Sequence, residues 1–236
     1  MPKSHQKVTL YEERDGARAL GLKTLKGLLA DHFVGEETIV KAGGYAKAAA
    51  IIANSLPDDK RTRSGDLGEL LATEYVNSET SFAVPLKKLR WKDDRQVPMR
   101  GNDVIAVDAR KKPVRVLKCE CKSRANLNMT VVEDAAETLD LHDGRPNPST
   151  LGFITKRLYE LGRDEEARIF QALQSSGAIS PKNMTHMIFA LSGNNPSEHL
   201  SSCPNSKHTG IERESVAIII KDHGAFVTKV YATHGT

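Results

Sequence analysis

The chain is poor in aromatic residues, has only three cysteines and contains no long apolar run. Phe, Trp and Tyr together make up 5% of its 236 residues, and no interleaved basic and aromatic platform for stacking single-stranded bases is visible. No stretch approaches the roughly 20 apolar residues that cross a bilayer. The sequence therefore gives no support for a membrane function.

The cysteines and the start of the chain predict a cytoplasmic protein. Residues 1–7 are polar and carry no secretory signal, and an odd cysteine count favours reduced thiols. Cys119 and Cys121 lie two apart on one strand, which is poor disulfide geometry. A zinc site that combines them with Cys203 and His208 is the alternative, but the spacing fits no zinc ribbon. Buried core cysteines are therefore favoured.

Positive charge is concentrated in the middle of the chain, although the formal net charge is only +4. Residues 85–124 hold 13 basic and five acidic side chains, a local net charge of +8, and the remainder carries a net charge of −4. Such a segment is typical of proteins that bind a phosphate backbone. The candidate DNA contacts are Lys87, Lys88, Arg90, Arg100, Lys118 and Arg124.

The same basic residues also fit a solvated, exposed strand that binds nothing. Trp91, between Arg90 and Lys92, is either a stacking residue or a core or partner-facing side chain. The choice between a single-stranded and a double-stranded substrate is therefore open.

Two short apolar runs, residues 103–108 and 114–121, predict a β-hairpin. Residues 109–113 between them have the length and polarity of a hairpin loop, so the strands are expected to be antiparallel neighbours. Asp103, at the start of the first strand, then lies beside Glu120 and Lys122 near the end of the second. Because side chains alternate along a strand, Lys118, Glu120 and Lys122 share one face.

Two carboxylates and an ammonium at one end of a hairpin suit metal-assisted phosphodiester hydrolysis. Mg²⁺, or Mn²⁺, takes oxygen ligands from one or two carboxylates and keeps waters for substrate and nucleophile. Asp103 and Glu120 are the candidate metal ligands, and Lys122 is the candidate for orienting water or neutralising charge on phosphorus. The other interpretation is that these residues are solvated strand ends.

A third metal ligand is predicted on a helix that precedes the hairpin. Ser64 is the expected N-cap of this helix, and Leu67, Leu70 and Leu71 begin its apolar stripe. Glu69 lies beside the small residues Gly68 and Ala72, which would let the helix approach a sheet closely. Glu74 is the competing candidate, and a surface glutamate is the alternative for Glu69.

An acidic helix, a strand headed by Asp103 and a Glu120-Cys121-Lys122 motif in the next strand resemble the PD-(D/E)xK nuclease superfamily. Asn102-Asp103 stands where that family often has Pro-Asp, and the Pro varies there. The resemblance covers residues 64 to about 142. It implies an α/β, restriction-endonuclease-like fold with a mixed sheet flanked by helices, and a later core strand near residues 185–191.

Three segments, residues 64–75, 100–103 and 118–123, are together similar to the small nuclease subunit of Hachiman anti-phage defence. This resemblance implies a bacterial cytoplasmic effector that pairs with a large superfamily-2 helicase. It further implies that the helicase restrains the nuclease until phage or aberrant DNA is sensed. A structure-selective repair nuclease or resolvase, and a DNA-binding subunit without turnover, are the alternatives.

The rest of the chain divides into a helical N-terminal extension, residues 1–60, and a nuclease-like domain, residues 61–236. The extension is predicted to contain a short strand (8–11) and helices over 17–32 and 37–55, followed by a loop over 57–65. Further helices are predicted over 129–141 and 151–173, the latter as one long or two stacked helices. Strands are predicted over 185–191, 215–221 and 226–232, and the polar loop 192–210 is expected to contact nucleic acid or the partner.

Overall fold

A five-stranded mixed sheet with helices on both faces forms the centre of the protein in a computed structural model that describes residues 7–175, 177 and 179–232. The polar residues 1–6, used above to predict a cytoplasmic location, lie outside these described residues. The elements in chain order are β1 (Lys7–Glu12), α1 (Arg18–Phe33), α2 (Glu36–Lys41), α3 (Tyr45–Ser55), α4 (Lys60–Glu79), β2 (Val104–Asp108), β3 (Arg115–Arg124), α5 (Met129–Asp140), α6 (Pro148–Glu160), α7 (Asp164–Leu173), β4 (Met184–Ser192), α8 (Ser197–Ser201), β5 (Glu212–Ile219) and α9 (His223–Ala232). Short 3-10 turns cover Lys88–Trp91 and Pro181–Asn183.

The strands are ordered β1-β5-β4-β3-β2, and only β2 runs antiparallel to its neighbour. The predicted hairpin is confirmed, since Val104 pairs with Cys119 and Asp108 with Arg115. The predicted core strand near residues 185–191 is also confirmed as β4, which pairs in parallel with β3 and is buried along its whole length. A mixed α/β sheet with flanking helices is therefore present as expected.

Helices cover both faces of β3, because each face of this strand carries apolar side chains. Leu117 and Cys119 pack with Ala72 and Val76 of α4 in one apolar cluster. Val116 packs with α6 and α7 in another cluster on the opposite side. Burial on both faces is the usual condition of strands in parallel sheets.

The N-terminal helices pack in one apolar cluster with α4, α9 and the end of β4. Leu29 of α1 and Ile52 of α3 share one apolar cluster with Leu70 of α4 and Val230 of α9. The strand predicted over residues 8–11 is confirmed as β1, at one edge of the sheet. Across the described ranges, no helix has the length and apolarity needed to cross a membrane.

Two helix boundaries differ from the prediction. The helix expected over residues 37–55 is broken into α2 and α3, because Gly43 and Gly44 adopt left-handed φ angles of 89° and 99°. Helix α4 begins at Lys60 rather than after Ser64, since the carboxylate of Asp59 accepts a hydrogen bond of 2.7 Å from the Thr62 amide and caps the helix there. The loop predicted over residues 57–65 is therefore mostly helix.

The prediction of a last strand over residues 226–232 is wrong. These residues form α9, whose buried side chains Phe226, Val227, Val230 and Tyr231 follow helical spacing and pack into the cluster of the N-terminal helices. The β-branched residues in this segment favour a strand by local propensity, but packing overrides that preference. The helices predicted over 129–141 and 151–173 are confirmed as α5 and as the pair α6 and α7.

Cys119 and Cys121 lie together in one part of the protein, and Cys203 lies in another. Cys119 packs between the sheet and α4, and its Sγ lies 4.0 Å from that of the half-buried Cys121. Cys203 is buried in another cluster with α5 and α8. His208 binds the carbonyl of Asp140 through Nε2 at 3.0 Å. Cys119 and Cys203 are thus buried core residues, as predicted.

Candidate functional site

The hairpin brings Asp103, Glu120 and Lys122 together at one end of the sheet. The register that pairs Val104 with Cys119 places Asp103, one residue earlier, beside Glu120. Asp103 Oδ2 accepts a hydrogen bond of 2.7 Å from the Cys121 amide, which fixes this carboxylate against β3. The Lys122 Nζ lies 2.7 Å from Glu120 Oε1. This part of the predicted site is therefore assembled by local sequence alone.

Helix α4 adds Glu69 to the same place. Gly68 lies so close to β3 that an added Cβ would stand 3.3 Å from the Ser123 Cβ. Ser64, one turn earlier, is hydrogen-bonded through Oγ to the Ser123 hydroxyl at 2.8 Å. The small residue thus permits the close helix–strand approach that the sequence predicted. Glu74 instead faces α1, where its carboxylate meets His32 Nε2 at 2.7 Å.

Glu69, Asp103, Glu120 and Lys122 line one groove with a volume of about 540 Å³. We call it the active-site groove because it holds the four residues predicted to be catalytic. Its lining also includes Asp66 of α4, Arg124 of β3 and the loop residues Pro98 and Met99. The four acids Asp66, Glu69, Asp103 and Glu120 share this lining with the cations Arg61, Lys122 and Arg124. Acidic residues thus outnumber basic residues in an otherwise basic region of the chain.

Burial dominates the electrostatics of the acids in the groove. It raises the pKa of Glu69 to about 8, with Lys88 opposing this rise and Asp103 adding to it. Burial also raises the pKa of Glu120 to about 7, an effect that Asp103 reinforces and Lys122 reduces. Two carboxyl groups therefore resist ionisation at neutral pH unless further positive charge enters the groove.

Two further lysines pair with acids of the groove: Lys88 belongs to the 3-10 turn after α4, and Lys92 follows that turn directly. The Lys88 Nζ lies 3.4 Å from Glu69 Oε2 and donates a hydrogen bond of 2.6 Å to the Asn102 carbonyl. Burial alone would lower the pKa of Lys88, but the charges of Glu69 and Asp103 outweigh it and raise that pKa. The Lys92 Nζ pairs with Asp66 at 2.8 Å, and both side chains are buried.

Sequence reasoning missed Asp66 and its pairing with Lys92. Asp66 precedes Glu69 by three residues, and residues at this spacing share a helix face, which is the signal that could have identified it. Burial raises the pKa of Asp66, and Lys92 partly offsets the rise. The acidic face of α4 is therefore wider than the single glutamate that was predicted.

Of the predicted DNA-contacting residues, some line a groove and some face α1, while Lys118 is buried. Arg124 lines the active-site groove, and the exposed Arg100 lines an adjoining groove together with Lys88. Lys87 and Arg90 turn toward α1 instead, where Lys87 Nζ lies 2.6 Å and Arg90 Nη2 3.4 Å from the Asp31 carboxylate. These two residues therefore tie the 3-10 turn to the N-terminal helices.

The prediction that Lys118 contacts DNA is wrong, because this side chain is buried. It is 1% exposed, and its Nζ donates hydrogen bonds to the carbonyls of Leu139 and Leu141 at 2.8 and 2.9 Å. Helix α5 covers the strand face that a hairpin alone would leave to solvent. A lysine whose donors are spent on buried carbonyls cannot reach a phosphate backbone, so Lys118 is not a DNA contact.

The donor set in the groove suits a hard divalent cation. Mg²⁺ needs only one or two carboxylates and keeps its remaining positions for water and phosphate, and Asp103, Glu120 and Glu69 could supply these oxygens. In residues 7–175, 177 and 179–232, no three or more His, Cys, Asp or Glu side chains already form a metal cluster. The ammonium groups of Lys122 and Lys88 stand beside two of the carboxylates, and the raised pKa values of Glu69 and Glu120 are those of acids short of positive charge.

Comparison with known proteins places these observations in a family. The chain is 31% identical over 199 residues to a Bacillus cereus protein described as "Hachiman protein HamA". That match covers 83% of this chain and 69% of the relative. The model of the HamA family matches residues 6–233, which include every residue of the active-site groove. The chain therefore belongs to the HamA family.

Proposed function

We propose that this protein is a metal-dependent DNA endonuclease of the PD-(D/E)xK type and the effector of a Hachiman anti-phage defence system. The observation that carries the proposal is the convergence of Asp103, Glu120 and Lys122 at one end of the hairpin, with Glu69 in the same groove. Membership of the HamA family supports the defence role. Arg61 and Arg124 in the lining of the groove, with Arg100 in the adjoining groove, support DNA as the substrate.

In this proposal Asp103 and Glu120, with Glu69, hold Mg²⁺ or Mn²⁺. When bound, such a cation polarises the phosphate and lowers the pKa of its water. Lys122 moves from Glu120 toward the phosphate and neutralises charge on its oxygens. The ammonium of Lys88 offsets the negative charge of Glu69, and Arg124 holds the DNA backbone at the rim of the groove. The pairings of Lys122 and Lys88 with the carboxylates keep the buried acids compensated in the absence of metal.

We further propose that a superfamily-2 helicase partner restrains the nuclease. This part rests on the resemblance to the Hachiman system and on the family match. It implies that the chain is fully active only when the partner has met its DNA signal. Assays of the chain alone and of the complex therefore belong together.

The proposed function is tested by cleavage of supercoiled plasmid in Mg²⁺, Mn²⁺ or EDTA. We expect cation-dependent nicking that falls by at least about 100-fold in Glu120→Gln and in Lys122→Ala, because the first change removes a metal-binding carboxylate and the second removes the positive charge beside the reacting phosphate. Glu133→Gln and Lys229→Ala, at exposed positions on α5 and α9, are the matched controls and should cleave normally.

The assay is repeated with the helicase and ATP to allow for restraint. Retained metal-dependent cleavage by purified Glu120→Gln would contradict the site assignment. If neither the chain nor the complex cleaves under any cation, yet the chain binds DNA tightly, the nuclease proposal fails. The chain would then be a DNA-binding subunit.

A further inference from the structure

A second groove adjoins the active-site groove and contains the tryptophan. We call it the Trp91 groove; its volume is about 580 Å³, and Pro98 and Met99 line both grooves. Trp91 and Phe153 lie in its wall, with ring centroids 6.3 Å apart and an interplanar angle of 81°. Both rings are half-buried, so part of each aromatic surface remains open to a ligand.

The two grooves are joined by the lysines of the 3-10 turn. Lys88 and Lys92 line the Trp91 groove, while their ammonium groups pair with Glu69 and Asp66 of the active-site groove. These ammonium groups are paired, so the cations open to a phosphate near the junction are Arg100 of the Trp91 groove and Arg124 of the active-site groove. The Trp91 groove is thus placed to hold the part of a polynucleotide that flanks the reacting phosphate.

Arginine side chains accompany both aromatic rings. The guanidinium of Arg90 lies 5.3 Å from the Trp91 ring centroid, and that of Arg157 lies 5.6 Å from the Phe153 centroid. Arg157 Nη1 binds Glu160 at 2.6 Å, but its buried Nε has no hydrogen-bond partner within the described part of the chain. Arg100 supplies an exposed cation at the same groove.

The combination of cations and open aromatic surface distinguishes unpaired from paired DNA. In a duplex, neighbouring base pairs cover both faces of each base, so its aromatic faces are not available to a side chain. An unpaired base can stack on an aromatic ring, and this contact tolerates any base. The exposed acids Asp93 and Asp94 also line the groove, so phosphates would follow its arginine side.

We propose that the Trp91 groove binds an unpaired nucleotide next to the phosphate that is cut. Its base stacks on Trp91 or Phe153, and its phosphate contacts Arg100 or Arg157. The substrate class is then single-stranded DNA, or duplex DNA with an unpaired tail. This inference rests on the proposed nuclease function of the active-site groove, which it deepens.

Trp91 is the only tryptophan of the chain, so intrinsic tryptophan fluorescence reports on this groove alone. The full chain carrying Glu120→Gln is titrated with a short oligothymidylate and, separately, with a blunt hairpin duplex of equal phosphate content. We expect saturable quenching by the single strand and little change with the duplex. Equal quenching by both, or an unchanged signal while anisotropy of a labelled strand reports binding, would overturn the inference.

Substitution of the second ring measures its contribution. Phe153→Leu keeps the Trp91 reporter and is expected to weaken binding of the single strand by about tenfold, about 1.4 kcal/mol, with less than about twofold effect on the duplex. Tyr159→Leu, on the same helix but outside the lining, is the matched control and should bind as the parent does. Circular dichroism and thermal unfolding verify that each variant folds. Equal weakening of strand and duplex binding by Phe153→Leu contradicts base stacking.

The same measurements separate this inference from the nuclease proposal. Cation-dependent plasmid cleavage, together with Trp91 fluorescence that does not change when the single strand binds, refutes the proposed strand-binding role of the Trp91 groove and leaves the nuclease proposal standing. Quenching of Trp91 by the single strand, with no cleavage of plasmid or of a labelled single strand by the parent chain or by its complex with the helicase, refutes the nuclease assignment and supports the groove as a strand-binding site.

Discussion

At the scale of single residues, three basic side chains lie side by side across the sheet and cap a helix. Lys118 of β3 pairs in register with His186 of β4, which pairs with Arg213 of β5. Their nitrogens meet carbonyl oxygens at or just after the C-terminal end of α5, namely those of Ala136, Leu139, Leu141 and Gly144. Helix C-termini leave such oxygens unpaired and carry partial negative charge. The row therefore stabilises the fold and lies apart from the chemistry proposed for the groove.

His186 is the pH-sensitive member of this row. Its Nε2 donates to the Gly144 carbonyl at 2.8 Å, so Nδ1 faces Arg213 as an acceptor at 3.4 Å. Burial, opposed by the Gly144 hydrogen bond and aided by the Arg213 charge, lowers the pKa of His186 from 6.5 to about 4. The unfolded chain therefore binds an extra proton between these two pH values.

We expect the free energy of unfolding to fall as pH drops from about 6.5 to 4, by up to roughly 3 kcal/mol from His186. The loss follows because the unfolded chain alone is protonated in this range. His186→Gln should flatten this part of the stability curve, measured by urea unfolding at a series of pH values. His142→Asn, at an exposed site with φ 59°, should leave it unchanged. A curve that stays equally steep in His186→Gln would contradict the assignment.

At the scale of elements, the approach of α4 to β3 decides whether Glu69 reaches the hairpin acids. Gly68 is the closest point, and the buried Ala72 continues the contact one turn later. The interior of a helix normally disfavours glycine by about 1 kcal/mol relative to alanine. Here the missing side chain allows a contact that a larger residue would prevent.

We expect Gly68→Val to destabilise the fold by roughly 1–3 kcal/mol, because its side chain would meet Ser123 and force α4 outward. Cleavage of plasmid should fall as well, since Glu69 moves with the helix. Gly21→Ala, in α1 where an added Cβ meets nothing within 4 Å, is the control and should raise stability by about 0.5–1 kcal/mol. Thermal unfolding and plasmid cleavage measure both effects, and unchanged unfolding of Gly68→Val would refute the close packing.

At the scale of the whole molecule, the basic residues of segment 85–124 have different structural roles. Arg100 and Arg124 line the two grooves, while Lys87 and Arg90 hold α1 through Asp31. Lys118 is buried, and Lys111 is exposed in the loop at the opposite end of the hairpin from Asp103. Of these basic residues, Arg100 and Arg124 are therefore the ones placed to release counterions when DNA enters the grooves.

We expect Arg100→Ala and Arg124→Ala each to reduce the slope of log affinity against log salt by about 0.7 to 1. The reason is that each variant loses one phosphate contact. Lys111→Ala has the same charge change and should keep the slope of the parent. The slopes are measured by fluorescence anisotropy of labelled DNA over a salt series, with Glu120→Gln present to prevent cleavage. An equal change in all three variants would indicate a general charge effect.

Local sequence pattern is sufficient to predict the hairpin and the position of its acids. A five-residue polar loop between two apolar runs allows only antiparallel neighbours, and the two-residue period of a strand then sets Asp103 beside Glu120 and Lys122. These relations are local, so no distant contact can change them. The small residues beside Glu69 likewise indicate a close helix–strand contact from local composition alone.

What covers each face of the sheet depends on packing between elements that are distant in sequence. A hairpin alone would leave the Lys118 face open to solvent, but α5 covers that face and the parallel strand β4 extends the sheet beside β3, so Lys118 is buried. Residues 226–232 favour a strand by composition, yet they form α9 because the N-terminal helices offer a helical packing surface. The pairings of Lys88 with Glu69 and of Lys92 with Asp66 join residues 19 and 26 positions apart. Such contacts depend on how separate elements pack, and local spacing does not encode that.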